Sequence, residues 1–188
     1  MLNWLERQTA AIVRAKGLRK NRVGHETHDE SVARILSVAT KRLRSRLCTL
    51  ITTGPDGPTA RVVMPFPPTS GLTVHVATSP TSTKFLQAAA TGKVVLAYSG
   101  WRSAVTAYCH ADTLDSPEDR RRWWRPFFFA YWPDGPGENS AVIRCRPYAF
   151  EVFAPDAGVG PAPLGLRAAR IELDNDHWRL AIEGAPPC

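Results

Sequence analysis

The chain has 188 residues, of which 44% are hydrophobic and 22% charged; that is enough to bury one sizeable core and a squeeze for two full domains. Its apolar runs fall short of the ~18 residues a bilayer span needs, and four scattered cysteines with no C-x-x-C pair give neither a zinc ribbon nor a disulfide framework. A net charge of +7 favours anionic partners, a class that holds nucleic acid, phospholipid and phosphorylated small molecules alike.

Residues 1 to 25 carry Arg7, Arg14, Lys16, Arg19, Lys20 and Arg22 against Glu6, and are expected to form a short helix and a basic arm. A solvated extension is the commoner fate of such a segment; gripping nucleic acid or lipid is the functional one. Glu6, Arg7 and Gln8 interrupt the place where a secretory signal needs an apolar core, so the expected compartment is the cytoplasm. The predicted organisation is therefore a basic extension over 1–28 and one domain over 29–188.

From Thr27 to Arg46 the apolar residues Val32, Ile35, Leu36, Ala39 and Leu43 recur at helical spacing, and Lys41, Arg42, Arg44 and Arg46 suit the carbonyl end of that helix. The period then drops to two. Strands are expected over Cys48–Thr53 and Thr59–Phe66, joined by the turn Gly54-Pro55-Asp56-Gly57-Pro58. Further strands are expected over Leu72–Ala77, Lys93–Ser99 and Arg102–Ala111, with a short helix over Ser82–Ala90 closed by Gly92.

Pro117 to Trp132 starts as a helix that Pro126 should stop. Strands follow over Ala141–Arg146 and Tyr148–Ala154, then a Pro- and Gly-rich loop over 155–165, then a hairpin of Arg170–Leu173 and Trp178–Ile182. With no regular βα alternation, a small antiparallel barrel with peripheral helices fits better than a doubly wound sheet.

The candidate site begins at Thr78-Ser79-Pro80-Thr81-Ser82-Thr83-Lys84. Hydroxyl side chains cap helices, the first-turn amides attract anions, and Lys84 adds a full charge. If Arg61 points to the same place, two cations meet one phosphate.

Seven aromatic residues fall between Trp123 and Trp132. A helix end buried against the barrel or the other subunit is expected for most of them, and Trp132 is equally suited to stack on a planar ligand. His25 and His28 have helical spacing but no further local ligands, so no metal site is expected. His75 and His110 are most simply structural. No Ser-His-Asp set, phosphate-binding loop or carboxylate pair appears, and no catalytic residue can be named.

The order of Cys48-Thr-Leu-Ile-Thr-Thr-Gly-Pro-Asp-Gly-Pro58, Ala60-Arg61-Val62-Val63, Thr78 to Lys84 and Val94-Val-Leu-Ala-Tyr98 resembles the pyridoxamine 5'-phosphate oxidase-like, FMN-binding split-barrel superfamily. The general stress protein 26 type is the nearest likeness, over about residues 30 to 154, and includes the Trp-Pro-Asp-Gly-Pro turn and Ala141 to Glu151. The resemblance implies a mainly β fold with peripheral helices, a six-stranded antiparallel split barrel. It also implies a homodimer with FMN at the subunit interface, and electron transfer through that flavin to or from a small molecule.

Carried over by position, Arg61, Ser82 and Lys84 would hold the phosphate, Val62, Val63 and Met64 would line the ring, and Thr78 and Ser79 would contact the ring or ribityl chain. The chain departs from the pattern at Cys109, where the superfamily has glycine. It departs again at Arg167-Ala168-Ala169, where true pyridoxamine phosphate oxidases carry Arg-x-His, so that vitamin is not an expected substrate. Related barrels hold the deazaflavin F420 or haem, which remain alternatives. A non-catalytic flavin or haem binder is the rival from another class.

Overall fold

The structure, a computed structural model, describes residues 11, 26–101, 103–159 and 168–181. Most of the expected basic extension, with His25, lies outside them, as do Arg102, the loop over 160–167 and the chain from 182 on, including Cys188. The described residues fall into two compact units. One takes in the first helix, residues 99–106 and the chain from 149 onward; the other takes in residues 42–98 and 107–148.

Helix α1 runs His28–Leu43, three residues short of the expected end, so Arg44 and Arg46 follow it. Its start is a reciprocal cap: the Glu30 amide donates to Thr27 Oγ1 at 3.3 Å and the Thr27 amide donates to Glu30 Oε2 at 2.9 Å. That bond from the Thr27 backbone is the main reason Glu30 titrates below its ordinary value. Val32, Ile35 and Ala39 are buried as the period requires.

The second unit holds the barrel. Strands β1 (Cys48–Gly54) and β2 (Gly57–Val63) pair antiparallel in the register Cys48↔Val63 to Gly54↔Gly57. Strand β3 covers Val74–Thr78 and β4 Lys93–Gly100, with helix α2 (Thr83–Thr91) between them. Strands β5 (Ser103–Leu114) and β6 (Ala141–Phe153) flank helix α3 (Pro117–Arg122) and a 3-10 turn over Pro126–Ala130. Leu72, expected at the start of β3, lies instead in a 3-10 turn at φ 59°, and the strand opens two residues later.

Neighbours run β2-β1-β4-β5-β6, and β3 pairs with β6 through Val74↔Cys145 to Thr78↔Ala141. An isolated bridge between Pro65 and Val76, with the Phe66 amide donating to the His75 carbonyl at 2.8 Å, carries the chain beyond β2 back onto β3. Six strands thus make a ring whose β2–β3 seam is barely stitched: a split barrel. Its interior is filled by alternating residues, among them Leu50, Val76, Leu96, Tyr98 and Ile143.

In the first unit, residues 149–152 of β6 pair with β7 (Ala169–Asp174), and β7 pairs with β8 (His177–Leu180). The described residues therefore form eight strands, two more than the barrel itself. The β7–β8 turn places Asn175 and Asp176 at φ 46° and 64°, the left-handed pair a tight hairpin turn requires and Asn and Asp tolerate. Among the described residues no helix is long and apolar enough to cross a membrane.

Candidate functional site

Helix α2 sets one end of the site. Ser82 caps it: the Phe85 amide donates to Ser82 Oγ at 3.4 Å, and that hydroxyl donates to the Ser79 carbonyl at 2.8 Å. Thr78 Oγ1 lies 2.8 Å from Ser82 Oγ, so the end of β3 is tied to the start of the helix. Gly92 closes the helix at φ 63°, its amide donating to the Ala88 carbonyl. The first-turn amides of Thr83 and Lys84 have no intrahelical acceptor, which leaves them facing whatever approaches the cap.

A groove of about 400 Å³ opens beside this cap. Eight of the nine expected residues line it: Val62 and Val63 at the end of β2 and Met64 just after it, Thr78 at the end of β3 and Ser79 just after it, Ser82 and Lys84 at α2, and Trp132. Val62 is 70% and Met64 49% exposed, so β2 offers an apolar bed on its outer side. Volume and lining match a small-molecule site, mostly apolar with a few converging polar groups.

Arg61, the ninth residue, is not part of the lining, although its charge acts on Lys84. Burial, and then the Arg61 charge, hold the Lys84 ammonium below the ordinary lysine value. Two cations thus share one half-buried place, and among the described residues no carboxylate pairs with Arg61 or Lys84. Like charges kept together without a counter-ion cost stability, and such arrangements cluster at sites that receive an anion.

The opposite wall is aromatic. Trp132 Nε1 donates to the Asn139 carbonyl at 2.8 Å, and its ring packs on Phe128 and Trp124 with centroids 5.5 and 6.2 Å apart. Phe127 and Tyr131 also line the groove, although they are 48% and 68% exposed. Within the single chain Phe128 is buried and Trp123 and Trp124 are half-buried, while Phe127, Phe129 and Tyr131 are exposed, as residues that do not pack on the chain's own barrel. The Pro126 turn is too tight to hide every side of the run. Phe127 and Tyr131 were the site residues the sequence concealed, and their four-residue spacing was the one signal that could have paired them.

Other candidates lie elsewhere. His75 is buried in β3, stacked on Trp123 at 3.7 Å, and burial holds its pKa down at about 4. His110 is exposed against Tyr148, and His28 is the exposed first residue of α1. Cys109 faces the barrel interior, fully buried like Cys145; burial raises both thiols, and Cys48 is pushed up to about 11. The side chain that replaces the superfamily glycine is therefore absorbed by the core and does not reach the groove lining.

Several solved structures share this architecture. General stress protein 26 from Bacillus anthracis aligns with a TM-score of 0.52 at 17% identity, over 64% of this chain and 91% of its own. A protein related to general stress protein 26 from Clostridium acetobutylicum, of the pyridoxinephosphate oxidase family, aligns with a TM-score of 0.59 at 14% identity over 77% and 96%. The fold is the split barrel of these proteins. A pyridoxamine 5'-phosphate oxidase-related, FMN-binding protein from Nostoc punctiforme gives a TM-score of 0.54 at 14% identity over 78% and 93%. No protein-family model matches the chain, and no curated protein matches it in sequence, so the likeness is carried by the split-barrel fold.

Proposed function

We propose that this chain binds flavin mononucleotide and works as a flavin-dependent oxidoreductase on a small molecule, as a cytoplasmic homodimer with the cofactor at the subunit interface. The observation that carries the proposal is Lys84, with the Arg61 charge acting on it and no carboxylate paired to either among the described residues, in a groove otherwise lined by the apolar Val62, Val63 and Met64 and by aromatic rings. A dianionic phosphate on a planar ring system has that same polarity. The description of the Nostoc protein as FMN-binding supports it.

In this arrangement Lys84, Arg61 and the first-turn amides of α2 take the phosphate through charge-assisted hydrogen bonds. Thr78 and Ser79 meet the ribityl hydroxyls, β2 from Val62 to Met64 supports the ring, and Trp132 with Phe127 and Tyr131 excludes water from its edge. Bound FMN supplies hydride exchange with a donor or acceptor. The chain's own residues bind, orient and desolvate, and none is required to move a proton. Among the described residues no imidazole or thiol lines the groove, which favours flavin over haem.

The test is acid extraction of the purified protein followed by mass measurement. FMN is the expected mass; the mass of F420, or a Soret band from haem, would replace the assignment. Changing Arg61 and Lys84 together to Ala should lower FMN affinity at least a hundredfold, since hydrogen bonds to charged groups contribute about 1.5–3 kcal/mol each. Undiminished loading in that variant contradicts the phosphate assignment. A bound flavin that no common donor reduces and no common acceptor reoxidises would make the chain a carrier or sensor instead.

A further inference from the structure

We propose that Gln87 is a positioning residue for the anion end of the groove: through the hydroxyls of Thr52 and Thr59 it aims the Arg61 guanidinium. The proposal rests on the FMN assignment above and adds to it residues outside the groove lining. Arg61 Nη1 donates to Thr52 Oγ1 at 2.6 Å and Nη2 donates to Thr59 Oγ1 at 2.8 Å. Both hydroxyls in turn donate to one atom, Gln87 Oε1, at 2.5 and 3.0 Å. Thr59 Oγ1 also lies 3.3 Å from the Thr52 carbonyl.

A threonine hydroxyl has one hydrogen and two lone pairs. Against a cation it must present a lone pair, so its hydrogen has to leave on the far side, and Gln87 Oε1 is the acceptor both threonines share there. Thr52 is 1% exposed, so water cannot substitute freely for that acceptor. The guanidinium has five N–H groups; with two of them held by the threonines, its Nε–H and one hydrogen on each terminal nitrogen remain for an anion.

Lys84 and Gln87 are three residues apart and share a face of α2. One helix therefore supplies one cation directly and aims the other by relay. Gly54 makes room for the relay: a Cβ at that position would stand 2.3 Å from Gln87 Nε2 and force the amide to move.

FMN and riboflavin differ only in the phosphate, so the ratio of their affinities, read by flavin fluorescence, isolates the anion end. Gln87→Leu and Gly54→Ala are each expected to narrow the preference for FMN about tenfold, the scale of one misaligned charged hydrogen bond, with riboflavin affinity unchanged. Thr52→Ser, which keeps the hydroxyl, should retain the preference, and Thr52→Val should narrow it as Gln87→Leu does. If Arg61→Ala narrows the preference and Gln87→Leu does not, the relay is overturned while the flavin assignment stands. Equal losses of FMN and riboflavin in Gln87→Leu would make its role one of packing and also overturn the relay. A wild-type chain with no preference for FMN removes the assignment and the relay together.

Discussion

Lys84 is the residue whose chemistry is most exposed to test. An ammonium held below the ordinary value of about 10.4 by burial and by the Arg61 charge loses its proton earlier as pH rises. Its grip on a phosphate therefore decays on the alkaline side at a lower pH than that of a free lysine. FMN affinity is expected to fall as pH rises, at a lower pH than an ordinary lysine would cause. Lys84→Arg should keep the affinity and remove the alkaline decline, because a guanidinium does not titrate there. Lys84→Met should be weaker throughout, by tenfold or more, and equally flat. An unchanged decline in Lys84→Arg would assign the titration to another group. Ser82 carries a separate load: its hydroxyl is engaged by the Phe85 amide and the Ser79 carbonyl, so Ser82→Ala should cost about 1 kcal/mol of stability as a lost cap, measurable in urea denaturation.

Among the elements, β3 and the segment after α3 are joined by the stack of His75 on Trp123. Burial first, then the Arg144 and Arg122 charges, hold His75 down at about 4, with Asp119 opposing them in part. The folded chain keeps this imidazole neutral while the unfolded chain takes up a proton below about 6.5. Its contribution to stability is therefore complete above pH 6.5 and is lost as pH falls through 4, by up to about 3 kcal/mol. Urea midpoints from pH 7 to 4 should show that loss, and His75→Gln should show a shallower one; equal slopes would place the titration elsewhere. These elements were legible to different degrees. The hairpin β1–β2, α1 and α2 follow from period and turn residues that act locally. β6 did not, because Pro147 reads as a break between two strands, yet the strand is continuous. Residues 141–145 pair with β3 and 149–152 with β7, so Pro147 falls between those two registers, where its missing amide costs neither ladder a bond. The groove's β2 bed, its cap and Lys84 were legible through ordered motifs. Phe127, Tyr131 and the Gln87 relay were not, since each depends on which face of a short element meets its neighbour in space.

For the molecule as a whole, the decisive feature is apolar surface left outside. Val62, Met64, Phe127 and Tyr131 are all exposed and all line one groove, whereas a single chain ordinarily keeps such residues scattered. A planar ring laid on Val62 to Met64 would have one face on the strand and the other toward solvent, where water would compete for it. A second copy of the chain laid over the bed would cover that face and the apolar side chains at once, and the resulting interface would be largest with the ring in place. The homodimer proposed above should therefore have twice the 20.7 kDa chain mass in sedimentation, and added FMN should tighten it. Val62→Glu sets a charge in the middle of the covered patch, where an unpaired buried carboxylate costs several kcal/mol, so it should give a monomer that no longer retains flavin while the barrel interior stays intact. A monomer that holds FMN as tightly as the wild type would show that one chain suffices, and would leave the exposed groove residues to the substrate alone.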